Sequence, residues 1–429
     1  MGVLAPQETT LLSGHSGTIA PHTGYRMRLH YGLSENNLWS ECISAHDVAD
    51  RVREAAAQIV RLSVEDDCAE SHSWHRFETY ITGVLAAGAV PMVTLSKFGR
   101  PYADADAIRW FADSASGLVR RSIDRWGPET VRDWFWCLGN QPNSDWINAG
   151  LTFDLYRGLY EAAAESVAGC LAPYLDGRKA LVGGPGIDGF QPFWMDWVYR
   201  FVNEIDNRLI SFVVWHRYGD WRQPGDWGAP KEEATFRALL MSRSVEYETR
   251  SRAVGRMLKG RGILNVCGEL NAHSDQYAAL SGPLNRTEFG AAYYGSSLIH
   301  LMRGGADIEM LCSAAPGATP QHLAKQLCAS FIRAGDDLAF PELPNALGRA
   351  DIVLATGLGL PLSAFLVHRR DEAFTLSLQD DVPMLEQCRH VLKIDATTKG
   401  KIVESHFDDV LRMEGYGVAV LASREAASQ

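Results

Sequence analysis

Trp134-Phe135-Trp136-Cys137-Leu138-Gly139-Asn140-Gln141-Pro142-Asn143 is an apolar run that ends abruptly in a polar turn. It has no helical period, and Pro142 has no N–H to continue a ladder, so the run reads as a buried β-strand. Side chains at the C-terminal tips of parallel strands are where (β/α)8 barrels place their chemistry. A barrel around that turn needs seven further strands, and the chain supplies candidates for all of them.

Apolar, β-branched runs at 25–32, 59–64, 90–95, 180–185, 210–216, 263–271 and 307–312 read as the other strands. Helical patterns lie between them. Ser44 with Asp47 three residues on forms a capping box, followed by Val48, Val52 and Ala55 on one face. Phe77, Ile81, Val84 and Leu85 mark the next helix, and Gly88 its terminator. Further helices are expected over 104–125, 153–170, 194–205, 231–258, 288–303 and 320–334. This alternation implies parallel strands with crossover helices, an α/β fold of the (β/α)8 TIM-barrel type. After about residue 336 the texture changes to short strand-like runs divided by turn residues, which suggests a small C-terminal antiparallel β module. The expected organisation is an N-terminal arm over 1–23, a barrel over 24–335 and a β-sandwich-like accessory module over 336–429.

The composition narrows the partners. A net charge of −11 with no basic run argues against nucleic acid. No stretch is long and apolar enough for a transmembrane helix, and the first residues lack the charged and apolar regions of a signal peptide. Eight cysteines occur without CxxC pairs, several inside strand-like runs, which fits buried free thiols in a reducing, cytoplasmic compartment. Composition leaves a homo-oligomer open. His72 and His75 lack a positioned carboxylate, so no metal site is expected, and no cofactor. Gly183-Gly184-Pro185-Gly186 lacks the lysine of a phosphate loop and reads as a tight turn.

The strand over 263–271 carries Glu269 near its C-terminal end, just after Gly268. Retaining glycoside hydrolysis needs two carboxyl groups about 5–5.5 Å apart, one as nucleophile and one as acid/base. The tips of the fourth and seventh strands can converge on one sugar across a barrel mouth. In Asn140-Gln141-Pro142-Asn143, Glu269, Trp215-His216-Arg217-Tyr218 and Arg61, the chain resembles clan A glycoside hydrolases. It is most similar to family 39, that of the β-xylosidases and α-L-iduronidases. The resemblance covers the barrel and extends to the trailing β module.

The resemblance implies a carbohydrate or glycoside substrate, Glu269 as nucleophile, Asn140 as the holder of the sugar 2-hydroxyl, and Arg61, His216 and Tyr218 around Glu269. A cation and a phenol beside a carboxylate favour its ionised form. The departure is Gln141, which stands where the family has its acid/base glutamate. An amide neither donates a proton to a leaving oxygen nor takes one from water. Three explanations are open: a deliberate Glu→Gln replacement that traps substrate, a natural enzyme acting without a general acid on good leaving groups, or a non-catalytic sugar binder. The otherwise preserved motif favours the first. A second departure is Cys312-Ser313, where many clan members place a tryptophan beneath the sugar.

Aromatic faces stack on pyranose rings. Trp221 and Trp227, in a Gly/Pro-rich loop, are therefore candidate substrate contacts, as is Trp136, although one of Trp134 and Trp136 is expected in the core. His30, expected to end the first strand, reads equally as a contact to a substrate hydroxyl and as a satisfied core histidine. Glu65, Asp66 and Asp67, with Lys97 and Asp188, are weaker subsite candidates.

Overall fold

A computed structural model describes residues 23–34, 44–64, 71–98, 102, 104–313, 318–341, 343, 348–357, 362–377, 385, 388–406 and 410–423. The chain enters through β1 (Thr23–Arg26), which lies outside the barrel, and begins the barrel with β2 (His30–Ser34). There follow β3 (Ile59–Val64), β4 (Val90–Leu95), β5 (Phe135–Leu138), β6 (Val182–Asp188), β7 (Phe212–Asp220), β8 (Leu264–His273) and β9 (Ile308–Cys312). They pair in parallel in chain order, and β9 returns to β2, closing a TIM barrel.

The crossovers carry α1 (Ala45–Glu54), α2 (Ser71–Ala86), α3 (Ala105–Trp126), α4 (Pro128–Val131), α5 (Asp145–Asn148), α6 (Phe153–Leu171), α7 (Trp194–Glu204), α8 (Glu233–Arg243), α9 (Glu246–Leu258), α10 (Glu288–Gly304) and α11 (Pro320–Phe331). The capping box at α1 forms as read. Asp47 N donates to Ser44 Oγ at 3.2 Å and Ser44 N to Asp47 Oδ2 at 3.1 Å. One expected helix, over 231–258, is two. Ser244 Oγ turns back on Met241 O at 2.7 Å, competing with the helical ladder where α8 ends.

Strand parity separates two cores. Phe135, Cys137, Phe212, Val214, Leu264 and Val266 fill the barrel interior, while Trp136, Leu138, Val213 and Trp215 face the helices. On β8 that alternation would aim residue 269 outward, since Leu264 and Val266 point in. A bulge intervenes: β7 pairs Trp215 with Cys267 but His216 with Glu269, skipping Gly268. The bulge re-aims Glu269 into the barrel. Gly268 is required there, because a Cβ would run into Val214.

The C-terminal region is antiparallel, as expected. β10 (Asp337–Ala339), β11 (Ala350–Thr356), β12 (Ser363–His368), β13 (Phe374–Ser377), β14 (His390–Ile394), β15 (Val403–His406), β16 (Val410–Met413) and β17 (Gly417–Ala422) follow the barrel. The larger sheet runs β1-β10-β11-β12-β17-β14-β15, and β13 pairs with β16 as a separate ribbon. Val353, Phe365, Val367 and Val418 face the barrel helices, whereas Leu354, Leu366, Ala419 and Leu421 pack with Phe374 and Leu411 of the ribbon. α10 is sandwiched between barrel and sheet, which is why it is buried nearly all round. The strand expected over 25–32 is divided between the two bodies: Thr23–Arg26 pairs with β10, and only His30–Ser34 enters the barrel.

One buried ion pair ties the last helix to the barrel wall. Lys325 Nζ on α11 lies 2.8 Å from Glu309 Oε1 on β9 and also donates to Gly32 O. Glu309 Oε1 accepts from Tyr294 Oη at 2.9 Å and from Gly32 N at 3.2 Å. Removing one member of such a pair leaves an uncompensated buried charge. Lys325→Met is expected to cost about 3–5 kcal/mol in urea denaturation, and the double variant Lys325→Met/Glu309→Leu to recover most of that loss.

Candidate active site

Inward-facing positions at five strand tips meet above the apolar interior. Arg61, two residues along β3 from Ile59, donates from Nη1 to Glu269 Oε1 at 2.7 Å and from Nη2 to Asn140 Oδ1 at 2.7 Å. Its Nη1 also reaches Ser34 Oγ, at the end of β2, at 3.1 Å. Tyr218 Oη, inward on β7, donates to Glu269 Oε2 at 2.6 Å. His216, two residues before it, puts Nδ1 3.5 Å from the same oxygen and 3.2 Å from Gln141 Nε2. The Gln141 amide and the Glu269 carboxylate thus share one ring nitrogen and lie no more than about 7 Å apart, a span that admits the ~5–5.5 Å separation of a retaining pair.

The turn after β5 makes this possible. Gly139 has φ of 122°, which turns the chain so that the next two residues enter the mouth. Gln141 itself sits at φ 50°, in the left-handed region that side chains rarely adopt. Such strain costs on the order of 1–3 kcal/mol and persists only where surroundings enforce it. Here Gln141 N donates to Gly186 O at 2.7 Å, and Asn148 Nδ2 on α5 donates to the carbonyls of Asn140 at 3.2 Å and Gln141 at 3.1 Å. Asn143 and Asp188 complete the clamp, Asn143 Nδ2 donating to Asp188 O at 3.0 Å and Asp188 N to Asn143 Oδ1 at 2.8 Å.

Burial sets the protonation states. Glu269 is only 4% exposed, and Arg61 is fully buried. Burial works against the Arg61 charge, but the Glu269 carboxylate outweighs it and raises the guanidinium further. Burial drives His216 down to about 4, with Arg61 adding to the effect and Glu269 opposing it, so the ring is neutral near pH 7. Burial and the neighbouring Cys312 and Glu269 hold Tyr218 well above its ordinary value, as a hydrogen donor.

Among the residues singled out from sequence, Glu269, Gln141, Asn140, Arg61, His216 and Tyr218 are therefore brought together. Others fall elsewhere. His30 begins β2 rather than ending it. Its N donates to Asp307 O, and the ring sits beside Gln58 on the floor of the barrel, at the opposite end of β2 from Ser34. Trp136 is fully buried on the helix side, its ring 5.9 Å from that of Trp134, so both tryptophans are core and neither meets a sugar. Trp215 is likewise core, with Nε1 donating to Asn265 Oδ1 at 2.8 Å.

Trp221 and Trp227, 58% and 94% exposed, stand on the rim and line a separate cleft of about 560 Å³ with Phe190, Arg217 and Glu246. Their loop is pinned by Asp220, which accepts from Trp221 N, Arg222 and Arg243. Burial opposes the Asp220 charge, but the Arg222 contacts prevail and hold its carboxyl at about 2. Lys97 is exposed, and Asp188 is occupied with Asn143, Phe190 N and Gln191. Glu65, Asp66 and Asp67 lie outside the described residues, as does the His72 side chain. No group of metal-ligating side chains occurs among the described residues. Gly183 to Gly186 lie within β6 rather than in a free turn.

Sequence reasoning missed Ser34 and Asn148. Placing the first strand at 25–32 hid Ser34, the true tip. Asn148 was findable as a polar residue following the turn on a short helix.

One family model and several solved glycosidase structures resemble the chain. Residues 80–229 match the model described as Glycosyl hydrolases family 39. The chain is thus similar to that family over the part of the barrel that runs from α2 to the loop after β7. Solved structures show the same fold at low identity. A monomeric β-xylosidase from Caulobacter crescentus CB15 aligns with a TM-score of 0.61 at 13% identity, covering 93% of this chain and 97% of that one. CelM2, a bifunctional glucanase-xylanase from a metagenome library, gives 0.63 at 12%, covering 93% and 96%. AbfB, a family 51 α-L-arabinofuranosidase from Bifidobacterium longum, gives 0.63 at 12%, covering 94% and 97%. No curated protein sequence matches the chain.

The site carries a pH signature in its histidine. Between about 6.5 and about 4 the unfolded chain binds a proton at position 216 that the folded chain does not. Stability is therefore full above the unfolded value and is lost as pH falls through that window, by roughly 3 kcal/mol in total. Urea midpoints at pH 7 and pH 4.5 test this: His216→Asn is expected to be less stable at pH 7 but to lose less on acidification.

Proposed function

We propose that this protein, similar over part of its barrel to glycosyl hydrolase family 39, is a retaining glycoside hydrolase that works by double displacement, with Glu269 as nucleophile. The observation that carries the reading is the placement of Glu269, inward through the Gly268 bulge, between Arg61 and Tyr218. Both carboxylate oxygens are oriented by charge-assisted or phenolic hydrogen bonds, so attack on an anomeric carbon needs little reorganisation. Asn140, held through its Oδ1 by Arg61, keeps its amide nitrogen for the sugar 2-hydroxyl. Contacts to that hydroxyl strengthen as the oxocarbenium-like transition state forms.

The sugar is best sought among pentosides and related hexosides, since the structural neighbours include a β-xylosidase and an α-L-arabinofuranosidase. Trp221 and Trp227 stand apart from Glu269 and would meet only the outer part of a longer glycan. The protein is read as cytoplasmic and free to form a homo-oligomer; no described helix is long and apolar enough to cross a membrane.

Gln141 occupies the acid/base place. Whether it replaces a native glutamate or is itself native, its amide lets the first displacement proceed without a proton donor and leaves the second without a base. The rival reading is a sugar-binding protein without turnover, favoured by this residue alone. Covalent labelling decides between them: a 2-fluoro glycosyl fluoride is expected to add its mass to a peptide containing Glu269. Sugar binding by calorimetry with no label on Glu269 would establish the rival. Gln141→Glu is expected to raise turnover of glycosides with poor leaving groups by about 10²–10⁴-fold.

A further inference from the structure

The β module is held against the barrel by more than apolar contact. On α10, the helix between the two, His300 is buried and has a carboxylate at each ring nitrogen. Its Nδ1 lies 3.0 Å from Glu248 Oε2 on α9, a barrel helix. Its Nε2 lies 3.6 Å from Asp351 Oδ1 on β11, a module strand. A neutral imidazole has one N–H and one lone pair, so either tautomer would turn the lone pair towards a carboxylate oxygen. Little water is at hand to relieve that contact. Only the imidazolium donates in both directions.

The charged groups around the ring agree. Arg369, which follows β12, has Nε 3.4 Å from Asp351 Oδ2 and donates from Nη2 to Met241 O on α8 at 3.1 Å. Ser296 Oγ on α10 donates to Asp351 Oδ2 at 2.5 Å. Arg252 of α9 and Arg303 of α10 lie 2.6 Å and 3.4 Å from Glu248, but both are partly exposed and water screens them. Among the more buried groups, two carboxylates thus face one guanidinium, and a charged ring balances the set. Burial opposes the charge on Glu248 and on Asp351, but the His300 contacts prevail and hold both carboxyls below their ordinary values. Burial likewise opposes the charge on His300, but the contacts with Asp351 and Glu248 outweigh it and raise the ring above 6.5.

We propose that His300 is a pH-sensitive clasp: its imidazolium joins a barrel carboxylate to a module carboxylate, and loss of one proton loosens the β module from the barrel helices. A proton held more tightly by the folded chain favours docking most below the unfolded value, and that stability is lost as pH rises through the folded one. The direction is opposite to that of His216, whose contribution is lost on acidification. Once the ring is neutral, its single N–H stays with the closer carboxylate, Glu248, and Asp351 is released. The strands then loosened are β11, β12 and β17, of which Phe365, Val367 and Val418 lie close against Gly295 of α10. The clasp is independent of the role given to Glu269.

Two measurements on the full chain test the clasp. Deuterium uptake at the imidazole C2 position, followed by mass spectrometry across the neutral and alkaline range, titrates His300 without any substitution. Half-titration above 6.5 is expected; a value at or below 6.5 would overturn the proposal. Backbone amide exchange, corrected for the intrinsic rate, is then compared at pH 6 and pH 9. Protection of β11, β12 and β17 is expected to fall by about 10- to 100-fold at pH 9, the range of one hydrogen bond to a charged group, while β3 to β7 of the barrel keep theirs. In His300→Gln the module is expected to show the lower protection at both pH values. Equal protection of the module at the two pH values, a loss shared equally by β3 to β7, or an unchanged pH response in His300→Gln would each overturn the clasp.

Discussion

A guanidinium and a carboxylate are closed together at the top of the barrel, where Arg61 and Glu269 are almost without solvent. Burying two such ions carries a desolvation penalty of several kcal/mol each, offset only if geometry and further hydrogen bonds are good. Here they are good. Arg61 adds Ser34 and Asn140, and Glu269 adds Tyr218. The pair therefore depends on β2, β3, β5, β7 and β8 all arriving in register. A hydrophobic substitute would satisfy the barrel equally well, so stability does not account for the pair, whereas the proposed nucleophilic role of Glu269 does.

The parity of the strands shows how narrow that register is. On β3 and β7 the alternation that fills the interior with Ile59, Phe212 and Val214 also carries Arg61, His216 and Tyr218 inward. On β8 it would carry Glu269 outward, and the Gly268 bulge corrects it. On β5 the interior residues Phe135 and Cys137 lead to Gly139, whose unusual φ hands the mouth to Asn140 and Gln141 together. Two local departures from regular strand geometry thus bring the two chemical positions face to face, each at or next to a glycine.

Much of this was legible in the residues. The barrel rhythm, the Ser44 capping box, and the grouping of Arg61, Asn140, Gln141, His216, Tyr218 and Glu269 follow from periodicity and family resemblance. What was not legible involved non-local pairing or side. Tyr25 and Arg26 look continuous with the first barrel strand, yet they pair with Asp337 and Leu338 across three hundred residues of chain, and nothing local signals that. The error moved the first strand's tip, put His30 at the wrong end of the barrel and hid Ser34. Trp136 failed differently. Tryptophan serves a core as readily as a sugar, and only the burial of both neighbours, Trp134 and Trp136, settles which side it takes.

Under the double-displacement proposal, an amide at position 141 changes the division of labour within the site. With a carboxylic acid beside the departing oxygen, an enzyme can cleave poorly activated bonds and owes its selectivity mainly to the sugar. With an amide there, the leaving group must carry its own negative charge, and selectivity shifts to the aglycone side. Binding energy gained from a bound aglycone lowers the barrier only if it is retained as the bond stretches. The clamp of Asn148, Asn143 and Asp188 holds Gln141 in its strained conformation beside Glu269, so whatever leaves from a bound glycoside meets an amide of fixed position.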